Sequence, residues 1–292
     1  MPEAGRVEVW HAGLDEHRAR LPALASALSD DERARAGRFR RAADREAFTL
    51  RRGLLRELVG SYLGLEPAAV RFAYGRWDKP FVDGELSFNA SSSGRHALFA
   101  FARGRGVGVD VERMRELPDM DEVAARIMSA RELATYRGQW DRLGAFYAVW
   151  TQKEAYAKAL GDGFAAPLDA FDVPLRAAPG TATVVRGRRI EALPAPPGFA
   201  AAVAADGDGW EARYSRYSAD TRLGTTIAQA SSTSSRISSA SIAASRTHAQ
   251  LYLRSDRRGS TNLPGSDSIS ASRHSFGNAK PMTVSSSFEN SR

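Results

Sequence analysis

The stretch GRGVGVDVERM, Gly104 to Met114, can be read as either of two folds, and the choice organises the rest of the chain. A Gly-x-Gly-x-Gly run invites a dinucleotide-binding reading, but that fingerprint needs a helix to begin at the glycines. Here Val107, Val109 and Val111 alternate with Gly108, Asp110 and Glu112, which is the period of a strand. Period two predicts the three valines packed on one face and both carboxylates on the other, about 6 to 7 Å apart along the chain. Two carboxylates so placed repel each other unless a cation lies between them. Taken alone, such a pair is more often the acidic face of a solvated edge strand.

On either side of this strand the chain repeats itself. Ser29-Asp-Asp-Glu32 and Ser129-Ala-Arg-Glu132 are both capping boxes, and each predicts the start of a long helical region. The first runs on through AADREAFTLRRGLLRELVGSYLG, with Phe48, Leu54, Leu55 and Leu58 on one apolar face. The second runs through WDRLGAFYAVWTQKEAYAKALG, with Phe146, Val149 and Trp150 read as core. Both regions end at glycine. HALFAFARG (His96 to Gly104) and FAAAVAADG (Phe199 to Gly207) are apolar runs of strand length. The expected fold class is therefore α/β (α+β), built of two similar halves, residues 1–103 and 104–217. Residues 218–292 are serine-rich with sparse large apolar side chains, the composition of a disordered tail.

The 292 residues are 43% hydrophobic, enough for a real core. The lack of cysteine rules out disulfides and thiolate metal sites. The start MPEAGRVEVW has no secretory pattern and no apolar run is long enough to span a membrane, so a cytoplasmic monomer without membrane contact is expected. Nine basic and four acidic residues from Ser218 onward carry most of the net charge of +7. The body is nearly neutral, which argues against a nucleic-acid-binding face; a protein associating with nucleic acid through its basic tail is the competing reading from another class.

VWTQKEAYAKALGDG, Val149 to Gly163, holds two of the chain's four lysines, in a sequence whose basic residues total 41. Glu154 and Lys158 are four apart and share a helix face, while Lys153 points about 100° away from Glu154. An isolated pair of this kind is ordinarily a surface ion pair contributing about 0.3 to 0.5 kcal/mol. Asp110, Glu112 and Glu154 together would instead make an all-oxygen site suited to Mg²⁺.

GVGVDVE followed some forty residues later by WTQKEAYAKALGDG resembles the paired signature of the 4'-phosphopantetheinyl transferases, in the pseudo-dimeric surfactin-synthetase-activating class. WDKPFVDGELSFNASSSG is similar to that family's glycine-lysine-proline loop and its phenylalanine-asparagine-x-serine-histidine-serine segment. The resemblance implies two α/β halves with coenzyme A in the cleft between them, and an apo acyl or peptidyl carrier protein as acceptor. It implies Asp110, Glu112 and Glu154 as Mg²⁺ ligands, with Glu154 or a metal-bound water as base for the carrier serine. Lys158 would neutralise or protonate the departing phosphate. Lys79, Ser91, Ser92 and Arg35 would contact the coenzyme, while Lys153 matches a motif position with no distinct chemical role.

In Asn89-Ala-Ser91-Ser92-Ser93 the histidine of that motif is replaced by Ser92, and His96 is out of register with it. The departure predicts weakened coenzyme binding and leaves open a coenzyme A-binding homologue with little or no transferase activity.

Overall fold

In a computed structural model, residues 1–75, 79–161 and 167–221 are described, all within a compact unit, Met1–Ser231. The tail proposed from Ser218 onward, with the nucleic-acid reading that depends on it, lies almost wholly outside these residues; so do Trp77 and Asp78 of WDKPF and the closing Asp162 and Gly163 of the long motif.

The strand expected at Gly104 to Met114 forms as β6 (Val107–Arg113), and it is the edge of a four-stranded antiparallel sheet whose order runs on through β9 (Phe199–Asp206), β8 (Arg188–Ala192) and β7 (Ala182–Val185). The other four-stranded sheet has the order β10 (Glu211–Arg216), β1 (Arg6–Gly13), β5 (His96–Arg103), β4 (Leu86–Ser93). In it β1 is antiparallel to β5 but parallel to β10, which returns from the far end of the sequence. A short ribbon pairs β2 (Ala73–Tyr74) with β3 (Pro80–Phe81).

The period of two sorts the strand residues into layers. Phe99 and Phe101 of β5 face helix α3 (Ala42–Leu63), where Leu50, Leu54, Leu58 and Val59 pack on them. Leu98, Ala100 and Ala102 face the other way and meet Val107, Val109 and Val111 of β6 and Val203 of β9. On the far side of the second sheet, Ala202 and Ala204 pack on Phe146, Val149 and Ala155 of α6 (Arg142–Leu160). The layers therefore run helix, sheet, sheet, helix. Both faces of β5 and β9 are covered, which is why these strands read as continuous apolar runs rather than alternating ones.

The expected single helical region behind each cap is divided in two. The Ser29 box starts α2 (Asp30–Gly37), after which Phe39 turns inward onto Phe48 of α3, with ring centroids 5.4 Å apart. The Ser129 box starts α5 (Ala130–Arg137), and a second cap then intervenes, because Asp141 Oδ1 accepts from the Gly144 N–H at 2.8 Å and opens α6. The long helices end at Gly64 and Gly161, with φ of 70° and 76°, as their sequences suggest. Two short helices, α1 (Leu21–Ser26) and α4 (Met120–Ile127), complete the α-helices of the described residues.

Candidate active site

The residues on the α6 side of β6 are Gly108, Asp110 and Glu112. A Cβ at position 108 would lie 2.2 Å from the Ala155 carbonyl oxygen and 2.4 Å from the Ala159 nitrogen. The missing side chain thus lets the α6 backbone lie directly on the strand. That close approach brings Glu154 and Lys158 onto the same face as the strand carboxylates: Lys158 Nζ donates to Asp110 Oδ1 at 2.5 Å. Its side chain as a whole remains 24% exposed.

The two sheets join along their edges through side chains. Asn89 Oδ1 accepts from the Val109 N–H at 2.9 Å, Ser91 Oγ from Val111 at 3.4 Å and Ser93 Oγ from Arg113 at 3.0 Å. Every second side chain of β4 replaces a carbonyl that a neighbouring strand would have offered, so the inward edge of β6 has partners without direct backbone pairing. The serine hydroxyls donate in turn to the carboxylates, Ser91 to Asp110 Oδ1 and Ser93 to Glu112 Oε2, each at 2.8 Å. Lys158 also donates to Ser91 Oγ at 3.2 Å.

Burial and mutual repulsion charge this cluster. Glu112 is pushed up to about 7 by burial and then by Asp110. Burial, opposed by Lys158, likewise brings Glu154 up to about 7, with Asp110 and Glu112 adding to the rise. Burial works against the Lys158 ammonium, but the Asp110 and Glu154 carboxylates outweigh it and hold its pKa above the ordinary lysine value. Asp110 Oδ2 and Glu154 Oε1 are buried with no hydrogen-bond partner. With the side chains as they stand, no three carboxylates or imidazoles among the described residues converge closely enough to hold a metal ion. The donor set nevertheless fits a hard divalent cation: all oxygen, anionic, desolvated, and with two lone-pair-bearing atoms left over.

The other expected residues are placed as follows. Lys79 Nζ donates to the Lys158 carbonyl at 2.6 Å and weakly to that of Val107 at 3.4 Å, tying the end of α6 to the start of β6. Ser92 points to the opposite face of β4 from Ser91 and accepts a hydrogen bond from Arg51 of α3. Arg35 is exposed on α2, its guanidinium 5.8 Å from the centre of the Phe48 ring. His96 bonds to His11 across β1 and β5, Nδ1 to Nε2 at 3.0 Å. Trp150 stacks on Phe146 at 5.9 Å within the second core. Lys153 is fully buried, and its ammonium donates to Glu132 at 2.5 Å and to the carbonyls of Ile127, Leu168 and Phe171. Its role is to hold the second half together. Sequence reasoning missed Asn89, Ser93 and Arg51; the alternation of polar side chains at 89, 91 and 93 was the available signal for the first two.

Comparison with known proteins supplies a consistent set of likenesses. The pattern of the 4'-phosphopantetheinyl transferase superfamily matches residues 106–196. The chain is 36% identical over 226 residues to the 4'-phosphopantetheinyl transferase HetI of Nostoc sp., an alignment covering 72% of this chain and 92% of that protein. It is 32% identical to a putative 4'-phosphopantetheinyl transferase of Synechocystis sp., covering 56% of this chain and 68% of the other. To the 4'-phosphopantetheinyl transferase Sfp of Bacillus subtilis it is 29% identical, covering 51% and 67%.

Proposed function

This chain belongs to the 4'-phosphopantetheinyl transferase superfamily, in its surfactin-synthetase-activating class, and on that premise we propose that it transfers the phosphopantetheine arm of coenzyme A to a serine of an apo carrier protein. The observation that supports the reading is the Asp110–Lys158 contact on one face between β6 and α6, with Glu112 and Glu154 near enough to be raised by the Asp110 charge and two carboxylate oxygens left without partners.

Phosphoryl transfer asks a protein mainly for positioning and for stabilisation of charge on the oxygens. Asp110, Glu112 and Glu154 would hold Mg²⁺, which when bound supplies neutralisation of the coenzyme pyrophosphate. Ser91 and Ser93 fix the orientations of the first two carboxylates through their hydroxyls. The carrier serine oxygen forms a bond to the β-phosphorus, and the bond from that phosphorus to the bridging oxygen breaks. Glu154 receives the serine proton. Lys158 faces the charge that develops on departing adenosine 3',5'-bisphosphate, and Lys79 braces the helix end that carries it. Arg35 and Ser92 lie toward the first helical layer, where the adenosine end of the coenzyme would be received. The acceptors are carrier domains of polyketide, nonribosomal peptide or fatty-acid synthesis, met by a monomer.

The test is to incubate the full chain with coenzyme A, Mg²⁺ and a panel of apo carriers and to weigh the carriers intact. A mass gain of one phosphopantetheine on at least one of them is expected. Binding of coenzyme A with no mass gain on any would instead establish a coenzyme-binding homologue without transferase activity.

A further inference from the structure

The face of α6 that carries Glu154 and Lys158 continues toward the helix start to Tyr147, since positions seven and eleven apart at about 100° per residue superimpose. The Tyr147 hydroxyl donates to the Arg115 carbonyl at 3.0 Å, while its buried ring packs edge-on against Phe146 with centroids 5.1 Å apart. Arg115 lies just beyond β6. The second sheet holds the chain as far as Met114, whose N–H donates to the Gly198 carbonyl at 2.8 Å, and α6 takes over one residue later. Glu112 stands one residue before the end of this strand, where a ladder opens most easily. It is therefore steadied from three sides: by its pairing with Ala200 of β9, by Ser93 at its carboxylate and by Tyr147 at the strand exit. The Glu112 charge also reaches the phenol. Burial first raises the pKa of Tyr147, the bond to the Arg115 carbonyl lowers it and Glu112 raises it again, so the hydroxyl keeps its proton and remains a donor.

We propose that Tyr147 is a positioning residue for the metal site: by fastening the exit of β6 to α6, it holds Glu112 in register with Asp110 and Glu154. This rests on the metal reading above and deepens it. Asp110 and Glu112 sit on a strand and Glu154 on a helix, and Mg²⁺ demands near-ideal octahedral oxygen ligation at about 2.0 to 2.1 Å. A ligand set drawn from two elements keeps such geometry when the elements are tied to each other at both ends of the site. One tie is the close approach of α6 to Gly108, with the Lys79 bonds to the Lys158 and Val107 carbonyls. Tyr147 is the tie at the other end, and it acts through the backbone at Arg115 rather than by ligation.

The test reads metal binding directly, with the full chain saturated with coenzyme A, Mn²⁺ as the probe and free Mn²⁺ followed by electron paramagnetic resonance. Tyr147→Phe keeps the ring and its packing on Phe146 and removes one hydroxyl. It should weaken Mn²⁺ binding about tenfold, the lower end of the scale for partners that stand behind a ligating group, and leave the affinity for coenzyme A in chelator unchanged. In a Glu112→Gln background the same substitution should have no further effect, because the carboxylate it positions is gone. Equal weakening in both backgrounds, an unchanged Mn²⁺ affinity, or an effect confined to the Michaelis constant for the carrier overturns the assignment, as does a wild type that takes up no Mn²⁺. A Glu112-dependent effect of Tyr147→Phe in a protein that modifies no carrier would uphold this role while contradicting the transferase reading.

Discussion

Lys153 stands to Glu132 as Arg56 stands to Glu32. In each half the capping-box glutamate accepts from its own N-cap amide, at 3.0 Å for Ser29 and 2.8 Å for Ser129, and is also bonded at 2.5 Å to a buried cation from the following long helix. Arg56 donates further to the carbonyls of Pro67 and Val70, and Lys153 to three carbonyls of its own half. The two halves use one device, in which a helix cap, a long helix and a loop are fastened at a buried glutamate and its cation, with Arg52 as a second partner of Glu32 in the first. Removing one partner leaves the other charge buried and uncompensated, which costs about 3 to 5 kcal/mol. Lys153→Met should lower stability by that amount in urea unfolding, and pairing it with Glu132→Leu should recover part of the loss. A loss below about 1 kcal/mol for the single variant would contradict the fastening role.

Ser93 gives a separable test of the edge joint. Its hydroxyl orients Glu112 while accepting from the Arg113 N–H. Ser93→Ala should lower the apparent affinity for the metal or the turnover by about ten- to a hundredfold, with the fold retained, the scale seen when a partner of a ligating group is removed. Unchanged metal dependence and turnover would show that Glu112 is oriented by other means.

Lys158→Arg keeps the charge but changes its shape. The ammonium fits between Asp110 Oδ1 at 2.5 Å and Ser91 Oγ at 3.2 Å, a slot sized for one nitrogen. A guanidinium is wider and a poorer proton donor, so turnover should fall by about two orders of magnitude or more. Near-normal turnover would return Lys158 to the status of an ion pair.

His11 makes stability sensitive to acid. Burial, then His96 and Arg216, with Glu16 opposing, bring its folded pKa from 6.5 to about 4. The unfolded chain therefore takes up this proton at higher pH than the folded one, so the stabilisation is complete above about 6.5 and is lost as pH falls toward 4. The urea midpoint should drop between pH 7.5 and pH 5, and by less in His11→Gln. Equal drops in both proteins would contradict the assignment.

The fold was legible wherever one face of an element decides its neighbours. The alternation in Val107 to Glu112 and the apolar runs of β5 and β9 report burial directly, and Gly108 was part of the pattern before its contact with α6 gave it a reason. β10 was not legible, because EARYSR has no strong alternation and its partner β1 lies some two hundred residues away. The carboxylates and Lys158 could be placed by spacing on one strand and one helix. What joins them could not: the zip from Asn89 to Ser93 depends on which strands are sheet edges, the burial of Lys153 depends on Glu132 twenty-one residues upstream, and Arg51 meets Ser92 only because α3 lies on the outer face of β4.

The central claim, that the carboxylate face between β6 and α6 works with a divalent cation to move phosphopantetheine, is tested most directly by intact-mass measurement of an apo carrier after reaction with coenzyme A. The wild-type chain with Mg²⁺ should convert the carrier, chelator should stop the conversion, and Asp110→Asn, with its melting temperature retained, should yield almost none. Conversion by the wild type in chelator, or by Asp110→Asn at the wild-type rate, would contradict the account.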